Sequence, residues 1–188
     1  PEALTGVETG ADWRGENASF SFTLFRNDLT DLITNVTRSV TPQLITRQRN
    51  NAASALVRGA EATVRKSWRH WRAEASWLYA DSRFATGLRI PQIPKNQGSA
   101  QLFWSTPKTF MGGGLRASSL QLEDDLNLFR LPGFTVWHVT ARQRVAGPLS
   151  LMLAMENAFN RDVIAGYSPT PTLASPRMVR AGVRIDWE

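Results

Sequence analysis

Met178-Val179-Arg180-Ala181-Gly182-Val183-Arg184-Ile185-Asp186-Trp187-Glu188 closes the chain, and its reading decides the fold. Val, Ala, Val, Ile and Trp hold the odd positions, while Arg180, Arg184, Asp186 and Glu188 stand at even ones. Side chains alternate between the two faces of a strand, so the segment has an oily side and a charged side. The stretch 149–157 repeats the period, with Leu149, Leu151, Leu153 and Met155 set against Ser150, Met152, Ala154 and Glu156. Such strands have water on one face and apolar matter on the other. That apolar matter is either a protein core or the hydrocarbon of a bilayer.

The same alternation carried back along the chain predicts an all-β fold of nine strands, with no competing helical period. They fall at about residues 4–13, 18–27, 53–66, 71–79, 99–104, 109–121, 134–145, 149–157 and 178–188. A long polar connection after the second strand begins at Leu29 and could first extend that strand through Leu32 and Ile33. Tight turns at 15–17, 67–69, 106–108 and 146–148 alternate with long connections at 29–51, 82–96, 121–133 and 158–175. That is an up-and-down meander with short turns at one rim and long loops at the other, the asymmetry of outer-membrane barrels.

Composition narrows the alternatives. The 188 residues contain no cysteine, which removes disulfides, thiolate metal sites and thiol nucleophiles. His70 and His138 are too few and too separated for a metal cluster, and no cofactor or catalytic set is read from the chain. A formal charge of +6 comes without any Lys/Arg block. A nucleic-acid partner would want aromatics interleaved with a basic face, whereas here they fall on the apolar stripe, so none is expected. No apolar run approaches the roughly 20 residues of a membrane helix, which leaves a barrel open. A small soluble barrel fills its interior with apolar side chains. Here one face of nearly every strand carries Arg, Glu, Asp, Ser or Thr, groups that need water or polar partners. A wet lumen inside and lipid outside is the reading. With the long loops extracellular, nine strands ending at the periplasm must start outside, so residues 1–188 are expected to be the C-terminal part of a larger barrel.

Several phrases then resemble, in order and across the whole chain, the barrel domain of TonB-dependent outer-membrane receptors, the roughly 22-stranded plugged transporters. They are Pro1-Glu2 with Thr5-Gly6-Val7-Glu8-Thr9-Gly10, Phe25-Arg26-Asn27-Asp28-Leu29-Thr30-Asp31-Leu32-Ile33, Arg58-Gly59-Ala60-Glu61, Ile90-Pro91-Gln92-Ile93-Pro94-Lys95-Asn96-Gln97, Glu156-Asn157-Ala158-Phe159-Asn160-Arg161-Asp162 and Pro176-Arg177-Met178-Val179-Arg180-Ala181-Gly182-Val183-Arg184. The resemblance implies a receptor and transporter of a bacterial outer membrane, without catalysis, taking up a scarce ligand such as a ferric siderophore or cobalamin. Its implied partners are outer-membrane lipid, a plug domain, and TonB through an N-terminal part not among these residues. A passive, porin-like barrel and a soluble ligand-binding barrel are the competing classes.

Site residues follow from the faces. Arg72, Glu74, Arg116, His138, Arg142, Arg144, Arg180, Arg184 and Asp186 are the lumen-facing candidates, for plug contact or for wall hydration and ion pairing. Trp71, Trp77, Trp104, Trp137 and Trp187 on the opposite parity are lipid-interface anchors. Arg47, Arg49, Phe129 and Tyr167, all in the long connections, are the residues suited to an anionic chelate. Gly112-Gly113-Gly114 lacks the Lys-Ser/Thr and the helix of a phosphate loop and is read as thin side chains on a curved strand. The acidic run Glu123-Asp124-Asp125 is read as a solvated loop tip.

Overall fold

The computed structural model describes residues 2–41, 44–51, 54–167 and 170–186. Its strands in chain order are β1 (Ala3–Arg14), β2 (Ala18–Thr30), β3 (Ile33–Val40), β4 (Ile45–Asn51) and β5 (Ala55–Trp68). Then come β6 (Trp71–Phe84), β7 (Asn96–Ser105), β8 (Thr109–Ser118), β9 (Gln121–Leu122) and β10 (Arg130–Leu131). The last are β11 (Phe134–Ala146), β12 (Leu149–Glu156), β13 (Ile164–Gly166), β14 (Thr172–Leu173) and β15 (Met178–Ile185). Nine of them form a single antiparallel sheet in the order β1-β2-β5-β6-β7-β8-β11-β12-β15. Each neighbour is the next sheet strand along the chain, as a meander requires. The sheet is open, with β1 and β15 as its edges.

The long connections hold more structure than their composition suggests. Three of them contain hairpins, β3–β4, β9–β10 and β13–β14, each a separate two-stranded sheet. The run from Ile33 to Val40 is rich in β-branched residues, which favour pleated backbone, but its polar residues on both faces hide the period. β8 stops at Ser118, short of the expected 121, because Gln121 and Leu122 pair with Leu131 and Arg130 instead. β6 runs on to Phe84, paired with β5 along its whole length from Trp68↔Trp71 to Ala55↔Phe84. The tight turns are as short as expected, and Arg69 and Gly147 take left-handed φ values of 50° and 47° to close two of them.

The buried apolar side chains do not lie between the faces of the nine-stranded sheet. They are Ala55, Ala80, Phe84, Leu122, Leu131 and Val163, at the strand ends and in the hairpins of the long connections. The core therefore sits where the loops converge. Val7, Trp13, Leu24, Leu102, Val139, Leu153 and Val183, by contrast, are all exposed.

Candidate functional site

Register shows how the exposed apolar residues line up. Phe20 is opposite Val64, Val64 opposite Ala75, Ala75 opposite Ala100, Ala100 opposite Leu115, and Leu115 opposite Trp137. A second row runs Trp71, Trp104, Met111, Ala141, Leu153 and Ala181. Paired residues share a face, so one side of the sheet is apolar from β1 to β15. Trp71, Trp77 and Trp137 are exposed on that side and Trp104 is half-buried there, while Trp187 lies outside the described residues. The aromatics gather in two bands. Trp13, Trp68, Trp71 and Trp104 lie near the tight turns, with Trp68 and Trp71 stacked at 6.4 Å. Towards the loops, Trp77 stacks on Tyr79 at 6.4 Å, and Trp137 meets Phe159 edge-on at 6.1 Å.

The other face carries the charged set. Arg72 pairs with Glu74 at 3.2 Å, Arg180 with Glu156 on the neighbouring strand at 3.1 Å, and Arg184 with Asp186 at 2.6 Å. The Arg116 guanidinium lies 5.5 Å from the Phe134 ring centroid. Arg142 and Arg144 follow on β11 at the same parity, opposite Met152 and Ser150, without an ion pair among the described residues. His138 stands opposite Gly114 and Glu156. The alternation thus places Arg72, Glu74, Arg116, His138, Arg142, Arg144, Arg180, Arg184 and Asp186 on one side. That side also holds an aromatic pair. Phe103 and Phe110 stack at 5.8 Å with the Arg72 guanidinium 4.8 Å above the Phe103 ring. The glycine run makes room here. A Cβ on Gly112 would meet Phe103 at 2.6 Å, and one on Gly114 would meet the Ala100 carbonyl at 2.5 Å.

The acidic run Glu123-Asp124-Asp125 is a correction to the sequence reading. Glu123 and Asp124 are buried, and the three carboxylates tie the loops together. Asp124 accepts the backbone N–H groups of Leu126, Leu128 and Phe129 at 3.2, 3.1 and 2.8 Å, folding its own loop. Asp125 accepts the backbone N–H of Thr37 at 2.9 Å and the Thr37 hydroxyl, which binds β3–β4 to this loop. Glu123 accepts the Tyr167 N–H, which binds the β13 end. Asn127 clamps the Arg89 backbone, accepting its N–H at 2.7 Å and donating to its carbonyl at 2.9 Å. Backbone amides leaving the sheet need acceptors, and these carboxylates supply them over long sequence separations that composition does not reveal.

A second staple closes the connection after β12. Asn157 donates to the carbonyls of Arg161 and Ser175 at 2.8 and 3.2 Å and accepts the Arg161 N–H at 2.8 Å. Asn160 accepts the Arg177 N–H at 2.9 Å. Val163 and Ile164 thereby lie over the polar face, with Glu61, Thr63, Ser76 and Arg116 lining the groove beneath. Of the loop residues singled out for an anionic ligand, Arg47 is opposite Thr37 and Arg49 opposite Asn35. Phe129 is anchored by Asp124 and Tyr167 by Glu123, so three hairpins carrying these residues are joined through the acidic run. No hydrogen bond, ion pair or ring contact links the four side chains to one another among the described residues. Among the described residues, the Arg47 Nε and Nη2 atoms are enclosed without a hydrogen-bond partner.

Comparison with known proteins places this arrangement. No curated protein sequence matches the chain. The ferric yersiniabactin uptake receptor FyuA from Yersinia pestis superposes with a TM-score of 0.83 at 15% identity, over 100% of this chain and 30% of that one. The copper transporter OprC gives 0.81 at 19% identity, over 98% and 31% of the two chains. The siderophore receptor PiuA from Acinetobacter baumannii gives 0.78 at 20% identity, over 97% and 28%. The fold is theirs, and the chain spans less than a third of their length. A family model described as TonB dependent receptor-like, beta-barrel, matches residues 1–158. The chain belongs to the TonB-dependent receptor β-barrel family.

Proposed function

We propose that residues 1–188 are the C-terminal part of the barrel of an outer-membrane receptor that imports a scarce metal chelate or cobalamin, energised through TonB. The observation that carries this reading is the two-sidedness of all nine strands. Continuous apolar surface of this extent calls for a partner, and a ring of hydrocarbon is the partner that fits every strand alike. Trp71 and Tyr79 are eight residues apart on β6, roughly 26 Å at about 3.3 Å per residue, comparable to the apolar band of about 25 Å of such barrels. In this reading the apolar side meets lipid, with Trp71, Trp77, Trp104, Trp137 and Trp187 at its two interfaces. The polar side, from Arg72 to Asp186, lines a wet lumen and faces a plug domain carried elsewhere in the parent chain.

The tied loops form the extracellular crown in which Arg47, Arg49, Phe129 and Tyr167 meet ligand. Similar structures are named for ferric yersiniabactin uptake, siderophore reception and copper transport, which favours a metal or its chelate as cargo. Uptake of 55Fe from a panel of ferric siderophores, and of cyanocobalamin, by cells expressing the full-length parent tests this. Uptake of one of them that disappears on deleting tonB is the expected result. Entry of small solutes that ignores TonB would identify a passive pore instead.

A further inference from the structure

On the apolar side of β2, β5 and β6 the oily rows end abruptly. Leu24, Ala60 and Tyr79 are paired in register, and the next row at the same parity is Arg26, Arg58 and Asp81. One further row brings Asp28, Leu56 and Arg83. Two residues of strand, roughly 7 Å, separate the Trp77–Tyr79 stack from this charged row. The charges are not balanced there. Arg26 is satisfied by Asp28, through contacts of 2.9 and 3.1 Å. Asp81, by contrast, has three cations around it, with Arg83 at 3.1 Å, Arg58 at 3.6 Å and Lys95 at 3.9 Å. One carboxylate neutralises one of the three. Arg83 takes its hydrogen bonds, and the side chains of Arg58 and Lys95 donate none among the described residues. Arg58 remains 63% exposed and Lys95 39%, whereas Asp81 is 10% exposed.

We propose that Arg58 and Lys95, held around Asp81 just beyond the Trp77–Tyr79 stack, bind the phosphate of a lipid headgroup in the leaflet facing the loops. The inference rests on the membrane reading above, since the acyl chains of that lipid would lie along Leu24, Ala60 and Trp77 on the same face. Two uncompensated cations with unspent N–H donors match a phosphate in charge and in hydrogen bonding. Their position at the edge of the apolar band puts them at headgroup depth. Asp81 is the positioning residue, its buried carboxylate gathering long side chains that would otherwise spread into water.

The test uses the full-length parent in phosphatidylcholine nanodiscs, titrated with bis-phosphorylated lipid A as the probe and read by native mass spectrometry. Folding of each variant is checked by its heat-modifiable gel mobility. Wild type should take up lipid A in preference to phosphatidylcholine. Arg58→Gln with Lys95→Gln should weaken that uptake roughly 30-fold, as removal of two cations at a charged membrane surface does. Arg58→Lys, which keeps the charge, should retain most of it. A folded double variant that binds lipid A as wild type does overturns the proposal, as does a wild type without preference for the phosphorylated lipid. Failure of the folded wild type to enter any nanodisc would instead sink the membrane reading, so the two failures are distinct.

Discussion

Asn157 adopts a φ of 48°, a left-handed value that Asn tolerates better than most residues, and its amide joins the two ends of the connection that follows β12. Replacement by alanine strains that left-handed backbone and removes three hydrogen bonds, one of which spans 18 positions. At about 0.5–1.5 kcal/mol each, Asn157→Ala should cost about 1.5–4.5 kcal/mol locally. Limited proteolysis reads this as earlier cleavage within 158–175, with cleavage elsewhere unchanged. Asp124→Ala removes the acceptor of three backbone amides. Hydrogen exchange at Leu126, Leu128 and Phe129 should accelerate by about 100-fold, with wild-type protection in β11 as the internal control. Neither role was legible in the sequence. Asn157 stood inside a phrase with a family resemblance, and the Asp124 run showed only its charge. What each binds lies across space, and alternation reports only on a strand's own two faces.

Strand spacing sets the element-scale expectations. β8 carries three glycines in a row, and they are not equivalent. A Cβ on Gly114 would press on the Ala100 carbonyl of β7 at 2.5 Å, whereas on Gly113 its nearest neighbour is 3.4 Å away. Gly114→Ala should therefore destabilise by about 1–3 kcal/mol, the range for overpacking, and Gly113→Ala should be close to neutral. Urea unfolding in lipid vesicles separates the two, and equal midpoints would contradict this account of the glycine run. The nine sheet strands were readable because a two-residue alternation of apolar and polar side chains recurs along them, as over 71–79 and 134–145. Two of the hairpins were not, since β9, β10 and β14 are two residues long and β13 three, too short for any period to appear, and in the β3–β4 hairpin polar residues on both faces of β3 hide it. The charged end of the apolar face was visible in principle. Arg26, Arg58, Asp81 and Arg83 occupy the parity of Leu24, Ala60 and Tyr79, and the break in the stripe marks where the oil stops.

Taken whole, the molecule has its core in the wrong place for a soluble barrel. The buried apolar residues gather under the loops, while the broad apolar side of the sheet stays open. Arginine introduced at Ala75, Leu151 or Val183 should cost about 2–4 kcal/mol where the site is near the bilayer midplane, measured by vesicle unfolding. Arginine at Thr140, on the other face, should be tolerated. Side-chain contacts sharpen the polar face as well, since Arg180–Glu156 crosses between strands and Arg72 lies over Phe103. Such pairings suit a surface that faces water or another polar wall. The most direct test places spin labels at Val139 and at Thr140, adjacent on β11 and on opposite faces, in the full-length parent reconstituted in lipid. Oxygen should relax the label at Val139 and a water-soluble nickel chelate the label at Thr140. The reverse pattern, nickel at Val139 and oxygen at Thr140, would contradict the account.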